Sequence, residues 1–524
     1  MTALSEHADP VLARLADAIL IPPFPGRSAP GWILEALSRG LAGVTLFGPN
    51  IATPEQVSAL TASLRSAASA ASASASGAAS AAASASASAS ASADPVIAID
   101  EEGGDVTRVA YADGSPYPGN AALGAVDDVV LTQAVYRAIG RDLAALGINF
   151  DLAPCADVLG SADSPAVGTR SFGADTGLVS RHTAAAVAGL QSAGVAACAK
   201  HFPGHGRTGT DTHFAMATIE GGVAELRRRD LPPFAAAIRA GTIAVMPSHL
   251  RVPELTGDLP ATVSGAALTG LLRGELGFTG VIVSDALEMR AVRDRFGVPG
   301  AAVLAVAAGT DLLCLGRDSD EAEYLAVRSA LVDAVRDGTI SGTRLEDAAD
   351  RVARLRGGLA RTRSHGFSAA GLGVAADRAG LVPDGVGLVA ARRAVRTSGP
   401  RTPLSRPLII EVEPLENIAA GRFGWGLGPW VPAGSVRRVD AGDGEAAGIL
   451  AAAAGRSLVA VVRDAHRDAN TRSLVSTLLA ARPDTVLVEM GLPRWQPPDG
   501  TSYVATYGAS RASAQAAAEL LGLA

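Results

Sequence analysis

The first two thirds of the chain alternate short apolar runs with segments whose apolar residues recur at helical spacing. Eight such runs end in polar, Gly or Pro residues: Ala18–Ile21, Gly43–Phe47, Pro95–Asp100, Ile148–Ala153, Ala196–His201, Ala244–Ser248, Gly280–Asp285 and Asp311–Leu315. A strand with one wet face would alternate apolar and polar residues, so these continuous runs predict strands buried on both faces.

Segments with helical periodicity lie between and after these runs. We predict helices at Gly31–Arg39, Pro54–Arg65, Leu131–Leu146, Leu178–Ala193, Val223–Ala240, Gly265–Leu276, Gly300–Ala308 and Glu321–Asp337. Buried strands that alternate with helices predict a parallel sheet covered by helices. The count of eight favours an α/β fold of the (β/α)₈ TIM-like barrel type, and a doubly wound open sheet is the alternative.

The pattern changes after about residue 363. Further strands are predicted at Leu408–Val412, Ser457–Arg463, Thr485–Met490 and Tyr503–Tyr507, with helices at Gly387–Val395, Gly444–Ala453, Asn470–Ala481 and Ser510–Leu521. We therefore predict a barrel over residues 1–363, a linker region over 364–407 and a smaller C-terminal α/β sandwich domain over 408–524. An Ala/Ser low-complexity tract at about 66–93 has no apolar stripe, and we interpret it as a disordered or partly helical insertion in the barrel.

Composition narrows the class of protein. The net charge is −7 and no long basic run occurs, which argues against nucleic-acid binding. No apolar run is long enough for a membrane helix, and residues 1–15 lack the apolar core of a signal peptide, so a cytoplasmic location is expected. Cys155, Cys198 and Cys314 lie far apart in apolar runs, which indicates core residues and not a disulfide framework or a zinc site.

The segment 200–213 concentrates groups that can carry chemistry. Lys200, His201, His205, Asp211 and His213 lie within fourteen residues of a chain that has only eight histidines. The segment leaves a predicted buried strand and breaks at a Pro-Gly pair, which places it on a loop above a rigid strand end. Asp211 and His213 are two residues apart, so an extended loop would point both side chains the same way. A carboxylate beside an imidazole fixes its tautomer and raises its basicity.

Polar residues also close several other predicted strands. Asp100 ends the third strand and precedes Arg108, Arg170 lies on a long loop after the fourth, and Asp285 ends the seventh. In a (β/α)₈ barrel the active site lies at these carboxyl ends. An acidic residue that closes an apolar strand is unfavourable in a core unless it meets a partner or a ligand.

Two kinds of chemistry fit these residues. In glycosyl transfer, one carboxylate attacks an anomeric carbon while a second group protonates the departing oxygen. The alternative is a metal site built from His201, His205, His213 and Asp211, although no tight metal-ligand spacing such as His-x-x-x-His occurs. We expect neither a metal nor a cofactor.

Four motifs together resemble one enzyme family. Lys200-His-Phe-Pro-Gly-His-Gly206 followed by Asp211-Thr-His213 is similar to the signature of bacterial β-N-acetylglucosaminidases of glycoside hydrolase family 3. Asp100-Glu-Glu-Gly-Gly104, Arg170-Ser-Phe-Gly173 and Ser284-Asp285 resemble further blocks of that family, in the same order. The resemblance covers about residues 15–360, and the C-terminal part is similar only in outline to the α/β sandwich domain of some members.

The resemblance implies a role for each matching position. Asp285 would be the nucleophile of a retaining reaction, and His213, paired with Asp211, would be the acid/base. The N-acetylglucosamine ring would be bound by Asp100, Arg108, Arg170, Lys200 and His201. Two departures, Glu101 where Gln is common and Thr212 where Ser is common, remove no catalytic group.

The expected partner is a carbohydrate that ends in N-acetylglucosamine, from peptidoglycan fragments or chitooligosaccharides. Two alternatives stay open at this point. A neutral imidazole does not repel an anion as a carboxylate would, so phosphate could replace water and the enzyme could be a phosphorylase. From another class, the chain could be a sugar-binding or regulatory barrel without turnover. β-Glucosidase or xylosidase activity is disfavoured, because the His-Asp loop resembles the N-acetylglucosaminidase branch.

Overall fold

The apolar runs of the first two thirds of the chain form short strands in the structure. This computed structural model describes residues 9–76, 94–160, 164–219, 221–365, 385–400, 403–415, 417–421, 423–442 and 444–524. The first ten strands are β1 Leu20–Ile21, β2 Gly43–Leu46, β3 Val96–Ile99, β4 Phe150–Asp151, β5 Ala196–Phe202, β6 Ala217–Thr218, β7 Ala244–Pro247, β8 Leu250–Arg251, β9 Val281–Ile282 and β10 Leu313–Cys314.

Eight of these strands form a ring. Six lie side by side in the order β2-β3-β4-β5-β7-β9, each parallel to its neighbours. A parallel bridge from Val283 to Leu312 connects β9 with β10, and β10 pairs in parallel with β1. The Thr45 amide donates to the Pro22 carbonyl at 3.3 Å and joins β2 to β1. The predicted TIM-like barrel is therefore confirmed, while β6 and β8 form a separate two-stranded pair.

Helices cover the outside of this ring. They are α1 Pro10–Asp17, α2 Gly31–Arg39, α3 Pro54–Ser76, α4 Asn120–Val126, α5 Val129–Ala145, α6 Thr176–Ser192, α7 Val223–Arg229, α8 Leu231–Arg239, α9 Pro253–Thr256, α10 Arg290–Ala308, α11 Glu321–Arg336 and α12 Gly342–His365, with a π-helix at Ala266–Glu275. None of the helices in the described ranges has both the length and the apolar character that crossing a membrane requires.

Several helix predictions differ from the structure: the helix predicted over Gly300–Ala308 begins at Arg290 as α10, and the one predicted over Gly265–Leu276 is a π-helix. The helix predicted over 223–240 is two helices that meet at Asp230, because Pro232 and Pro233 in the first turn of α8 have no amide hydrogen to continue α7. The helix predicted to end at Arg65 continues to Ser76, into the Ala/Ser tract, since alanine favours helix. The rest of that tract, residues 77–93, lies outside the described residues.

The C-terminal part forms a second, open sheet. Its strands are β11 Arg396–Ser398, β12 Leu408–Val412, β13 Val436–Val439, β14 Leu458–Val462, β15 Val486–Glu489 and β16 Ser502–Ala505, and its helices are α13 Val386–Ala394, α14 Glu445–Ala452, α15 Ala469–Ala481 and α16 Arg511–Leu520. The order is β11-β16-β15-β14-β12-β13, parallel except at β11. Alternate residues of β12 and β14 belong to separate apolar cores on the two faces, so helices and loops cover both sides. This is the second α/β domain that the sequence predicts.

The two edge strands β11 and β13 were not predicted. Each has polar or charged residues, including Arg396, Arg437 and Arg438, because an edge strand need not be buried on both faces. The segment predicted as a linker contains the predicted helix, α13, which packs against α4 and α5 of the barrel and against α16. Residues 366–384 of that segment lie outside the described residues.

Candidate active site

A cavity of about 640 Å³ opens at the carboxyl ends of the barrel strands. Seven of the eight predicted site residues line it: Asp100, Arg108, Arg170, Lys200, His201, His213 and Asp285. The eighth, Asp211, contacts His213 from behind. Groups from β3, β5 and β9 and from the loops after β4 and β5 therefore meet at one place, because all eight barrel strands run in the same direction.

One wall of the cavity is a buried ion-pair network after β3 and β5. The Lys200 Nζ lies 2.7 Å from Asp100 Oδ1 and 2.8 Å from Glu102 Oε1. Arg170 donates to both oxygens of Glu102, at 2.9 and 2.7 Å. Burial alone would raise the pKa of Glu102, but the charges of Arg170 and Lys200 outweigh it and hold that pKa well below its ordinary value. The network fixes the directions in which these side chains offer hydrogen bonds to a ligand.

His201 has a defined tautomer in this network. Its Nδ1 lies 2.7 Å from Asp157 Oδ2, and its Nε2 lies 3.2 Å from Arg170 Nη2. Because a guanidinium only donates, Nε2 accepts and Nδ1 carries the hydrogen that goes to Asp157. Asp157 also accepts the amides of His201 and His205, at 3.3 and 2.6 Å. Asp157 thus orients His201.

His213 and Asp211 form a close pair beside the cavity. Asp211 Oδ1 lies 2.6 Å from His213 Nδ1 and accepts the His213 amide at 2.9 Å. Burial would raise the pKa of Asp211, but the hydrogen bonds from His213 outweigh it and the pKa is lowered. A charged carboxylate at Nδ1 leaves Nε2 as the imidazole atom that can exchange a proton with a ligand.

Asp285 follows β9, and within the described part of the chain its side chain has one hydrogen bond, from the Ala286 amide to Oδ1 at 2.8 Å. Burial opposes its ionisation, but His249, followed by His201 and His213, outweighs burial and lowers the pKa of Asp285. His249 is held below the loop, with Nε2 3.0 Å from the Ala286 carbonyl. A half-buried carboxylate that stays ionised and has few internal partners is suited to nucleophilic attack.

Three residues of this site were not among the predicted site residues. Glu102 lies inside the motif Asp100–Gly104, Asp157 lies in the segment after β4, and His249 directly follows Ser248 at the end of the sixth barrel strand. Glu102 and Asp157 hold predicted residues through contacts between side chains 44 to 98 positions apart in the chain, and His249 acts on Asp285 through charge. Their position at strand ends was the only signal in the sequence.

The predicted alternative of a metal site does not match the histidine contacts. His201 and His213 pair with different carboxylates, Asp157 and Asp211. Among the described residues, the group with ligand atoms close enough to share an ion is Cys155, Asp157 and His201, all buried and within 4.8 Å of one another. The Cys155 thiol and the His201 Nδ1 group both hydrogen-bond to Asp157 Oδ2. Each of the three side chains therefore already has a hydrogen-bond partner within the cluster. All three cysteines are buried and free, as predicted.

The C-terminal domain contributes to the cavity as well. Ile418, Ala419 and Gly421 line it, and the Ala419 carbonyl accepts from Arg108 Nη2 at 2.9 Å. The barrel loop that carries Arg108 also contacts the C-terminal domain through Asp105. The Asp105 carboxylate accepts hydrogen bonds from Arg463 at 3.2 Å and from the Ala509 amide at 2.8 Å, and both donors belong to that domain. The position of Arg108 therefore depends on both domains.

Comparison with known proteins agrees with this arrangement. Residues 35–355 match the model of the glycosyl hydrolase family 3 N-terminal domain. A β-hexosaminidase A of Pseudoalteromonas piscicida is 31% identical over 62% of the chain, which spans only 55% of that protein. The β-hexosaminidase LpqI of Mycobacterium tuberculosis is 36% identical over 50% of the chain and 68% of that protein.

A solved structure matches both domains. The family 3 β-N-acetylglucosaminidase of a Paenibacillus species superposes with a TM-score of 0.80 at 30% identity, over 99% of this chain and 97% of that one. The barrel and the second α/β domain thus occur together in a known enzyme. The chain belongs to glycosyl hydrolase family 3 and is a glycoside hydrolase.

Proposed function

We propose that the chain is a retaining exo-β-N-acetylglucosaminidase that removes terminal N-acetylglucosamine from peptidoglycan fragments or chitooligosaccharides. The observation that carries this proposal is the placement of Asp285 and of the His213–Asp211 pair at one cavity, beside a wall of fixed hydrogen-bonding groups. The names of the relatives, β-hexosaminidase and β-N-acetylglucosaminidase, support the substrate class.

In this proposal the ion-pair wall holds the sugar ring. Asp100, Lys200, Arg170, His201 and Arg108 would hydrogen-bond its hydroxyl and acetamido groups. Because their ion pairs already fix these side chains, binding the sugar would cost little further ordering. Removal of any one of them would then weaken binding of both the ground state and the transition state.

The chemistry would proceed in two steps. Asp285 attacks the anomeric carbon, and the bond to the leaving oxygen breaks as Nε2 of a protonated His213 gives that oxygen its proton. Water then attacks the glycosyl–Asp285 ester and gives a proton to the neutral Nε2, which releases the sugar and restores both groups. Asp211 stabilises the imidazolium before the first step and after the second.

A phosphorylase is the second candidate. After the first step the imidazole is neutral and does not repel an anion, so phosphate could replace water as the second nucleophile. Arg290, Arg293 and Arg317 at the cavity mouth favour an anion there. N-acetylglucosamine 1-phosphate would be the product in that case.

The direct test is turnover of a chromogenic aryl β-N-acetylglucosaminide, with the configuration of the first-formed product read by NMR. We expect release of the β-anomer, and we expect Asp285→Ala to abolish turnover while Asp318→Ala, a change at an exposed acid of the same mouth, does not. Wild-type rates in Asp285→Ala would reject the mechanism. Binding of N-acetylglucosamine without any product would favour a non-catalytic sugar-binding barrel instead.

We also propose a cytoplasmic location and the division into a barrel over 1–363, a linker region over 364–407 and a C-terminal domain over 408–524. Three free buried cysteines suit a reducing compartment, which supports the location. Fractionation of the source cells tests the location. Limited proteolysis tests the division into domains, because a protease should cut first within 364–407. Cleavage elsewhere that leaves this segment intact would contradict the division.

A further inference from the structure

The acid/base pair of the proposed mechanism lies on residues 208–216, which lead from the loop after β5 to β6. Asp211 and His213 contact each other within this segment, and the Asp211 carbonyl accepts the amides of Phe214 and Ala215 at 3.0 and 3.2 Å. These hydrogen bonds shape a turn, but they do not attach it to the barrel. The position of His213 at the cavity therefore depends on what holds the segment from outside.

Thr212, between the two members of the pair, provides this attachment. Its Oγ1 lies 3.2 Å from Nε2 of His205, and both side chains are buried. Among the hydrogen bonds of the described residues, this is the one that joins residues 208–216 to the part of the chain outside them. Because Thr212 is covalently bonded to both Asp211 and His213, a shift of its side chain would move both.

His205 is itself held firmly by the loop that follows β4. Its amide donates to Asp157 Oδ1 at 2.6 Å, and the Gly160 amide donates to the Gly206 carbonyl at 2.8 Å. A Cβ added at Gly206 would lie 2.0 Å from the Val158 carbonyl oxygen, so only glycine permits this close approach. The backbone at His205 is thus a fixed point from which the imidazole reaches Thr212.

The far end of the segment is fixed as well. The strand β6 directly follows residue 216 and pairs in parallel with β8, and Arg251 Nε of β8 donates to Thr218 Oγ1 of β6 at 2.7 Å. Both ends of the segment are therefore attached to the barrel. Between them, the contact from His205 to Thr212 determines where the turn lies.

His205 does not act on a ligand directly. It does not line the cavity, and burial lowers its pKa to about 4, so the ring is neutral at neutral pH. Its Nδ1 is buried and has no hydrogen-bond partner in the part of the chain that the structure describes. The polar contact of the ring is thus the one with Thr212, and a neutral imidazole can donate or accept this hydrogen bond.

We propose that His205 is a positioning residue for the acid/base, and that through Thr212 it sets the distance of His213 Nε2 from the departing oxygen. The proposal rests on the function proposed above. A general acid must lie within hydrogen-bond reach of the atom that it protonates, and a displacement of about 1 Å can cost on the order of 10²-fold in rate. Loss of the contact should therefore impair proton transfer more than sugar binding.

Three variants and one control test this role. His205→Phe removes the contact, Thr212→Val removes it from the other side at an unchanged shape, and His205→Gln places an amide that can donate or accept near the position of Nε2. His182→Phe is the control, because His182 on α6 is also buried and its Nδ1 lies 2.8 Å from Thr132 Oγ1 of α5, outside the cavity. We would measure kcat/KM, which reports the first chemical step, for chitobiose and for 4-nitrophenyl β-N-acetylglucosaminide.

The two substrates should respond differently. In His205→Phe and in Thr212→Val, kcat/KM should fall about 30-fold for chitobiose but only about threefold for the nitrophenyl substrate, since nitrophenolate needs little protonation. His205→Gln should restore chitobiose turnover to within about threefold of wild type. The double variant His205→Phe/Thr212→Val should be no slower than His205→Phe, because both changes remove the same hydrogen bond. The control should keep the wild-type ratio between the two substrates.

Equal losses for the two substrates in both His205→Phe and Thr212→Val, or independent losses that multiply in the double variant, would overturn the positioning role. If His205→Phe does not fold, Thr212→Val and His205→Gln decide the question in the same way. These outcomes leave the proposed function intact as long as His213→Ala still distinguishes the substrates. Absence of turnover in the wild type, or equal losses in His213→Ala, would remove the proposed mechanism and the role of His205 with it.

Discussion

The two sheets of this protein both carry carboxylates at or near the carboxyl ends of parallel strands, but they use them differently. In the C-terminal sheet, Glu411 accepts from the Leu427 amide at 2.8 Å and from Arg438 Nε at 2.9 Å. In the barrel, Asp285 faces a cavity and accepts one hydrogen bond from the residues that the structure describes. A strand-end carboxylate therefore indicates a site only when the fold leaves it without enough internal partners.

Glu489 at the end of β15 shows the same contrast. Its carboxyl is enclosed by three backbone amides, those of Asp464, Ala465 and Gly491 at 2.7–3.1 Å. Burial, assisted by Asp464, raises the pKa of Glu489 to about 8, whereas the histidines around Asp285 lower its pKa despite burial. The first arrangement stabilises a loop, and the second keeps a carboxylate charged for a ligand.

The largest expected effect comes from exchanging a carboxylate for its amide in each sheet. Asp285→Asn should lower kcat on the order of 10⁴-fold or more at an unchanged melting temperature, because a nucleophile is lost but few internal contacts are. Glu411→Gln should keep its activity but lose about 2 kcal/mol of unfolding free energy. The NH₂ group of the glutamine would face the Leu427 amide or Arg438 Nε, which are both donors, so a hydrogen bond is lost. Steady-state kinetics and thermal unfolding of both variants measure these effects. An Asp285→Asn variant that is active but destabilised, or a Glu411→Gln variant that is inactive but fully stable, would contradict the difference between the two sheets.

The next effect concerns proton transfer by His213. In His213→Ala, turnover of a glycoside with a poor leaving group such as a sugar should fall by about 10⁴-fold, but turnover of a nitrophenyl glycoside by only about 10²-fold, because nitrophenolate needs little protonation. Equal losses for the two substrates would show that His213 is not the acid. Asp211→Asn, which keeps the imidazole, serves as the milder companion variant.

A smaller effect is expected at the contact between the two domains. Asp105→Ala removes the acceptor for Arg463, Thr169 and the Ala509 amide, so it should cost about 3 kcal/mol of stability. Because the same loop carries Arg108, KM should rise more than kcat falls. Unchanged KM together with a lowered melting temperature would mean that the C-terminal domain does not position the ring-binding side of the site.

The smallest effect is a pH dependence of stability at Glu288. Its pKa is about 7 in the folded chain, above its ordinary value of 4.5, so the folded state holds the extra proton between these values. Stability therefore falls as the pH rises from about 4.5 to about 7 and then levels off. Glu288→Gln removes this loss, so its melting temperature should gain about 2–4 °C on wild type across that window. A constant difference from pH 4.5 to 8 would argue against a buried, titrating carboxyl.

The sequence by itself determined the barrel and the place of its mouth. All eight predicted runs are barrel strands, because a strand enclosed by helices on one face and by the barrel interior on the other must be apolar throughout. Seven of the site residues predicted at the ends of those strands line one cavity, whereas the roles assigned to them stay predictions.

Only the tertiary structure decided which groups hold these residues in place. The contacts of Glu102 with Lys200, of Asp157 with His201 and of Ala419 with Arg108 join residues 44 to 311 positions apart, and no local pattern specifies such partners. The edge strands β11 and β13 and the arginines of the mouth were likewise not predicted, because exposed or half-paired residues leave no apolar signature. Local burial is encoded in local hydrophobicity, but the pairing of polar groups depends on where the closed barrel and the second domain bring them.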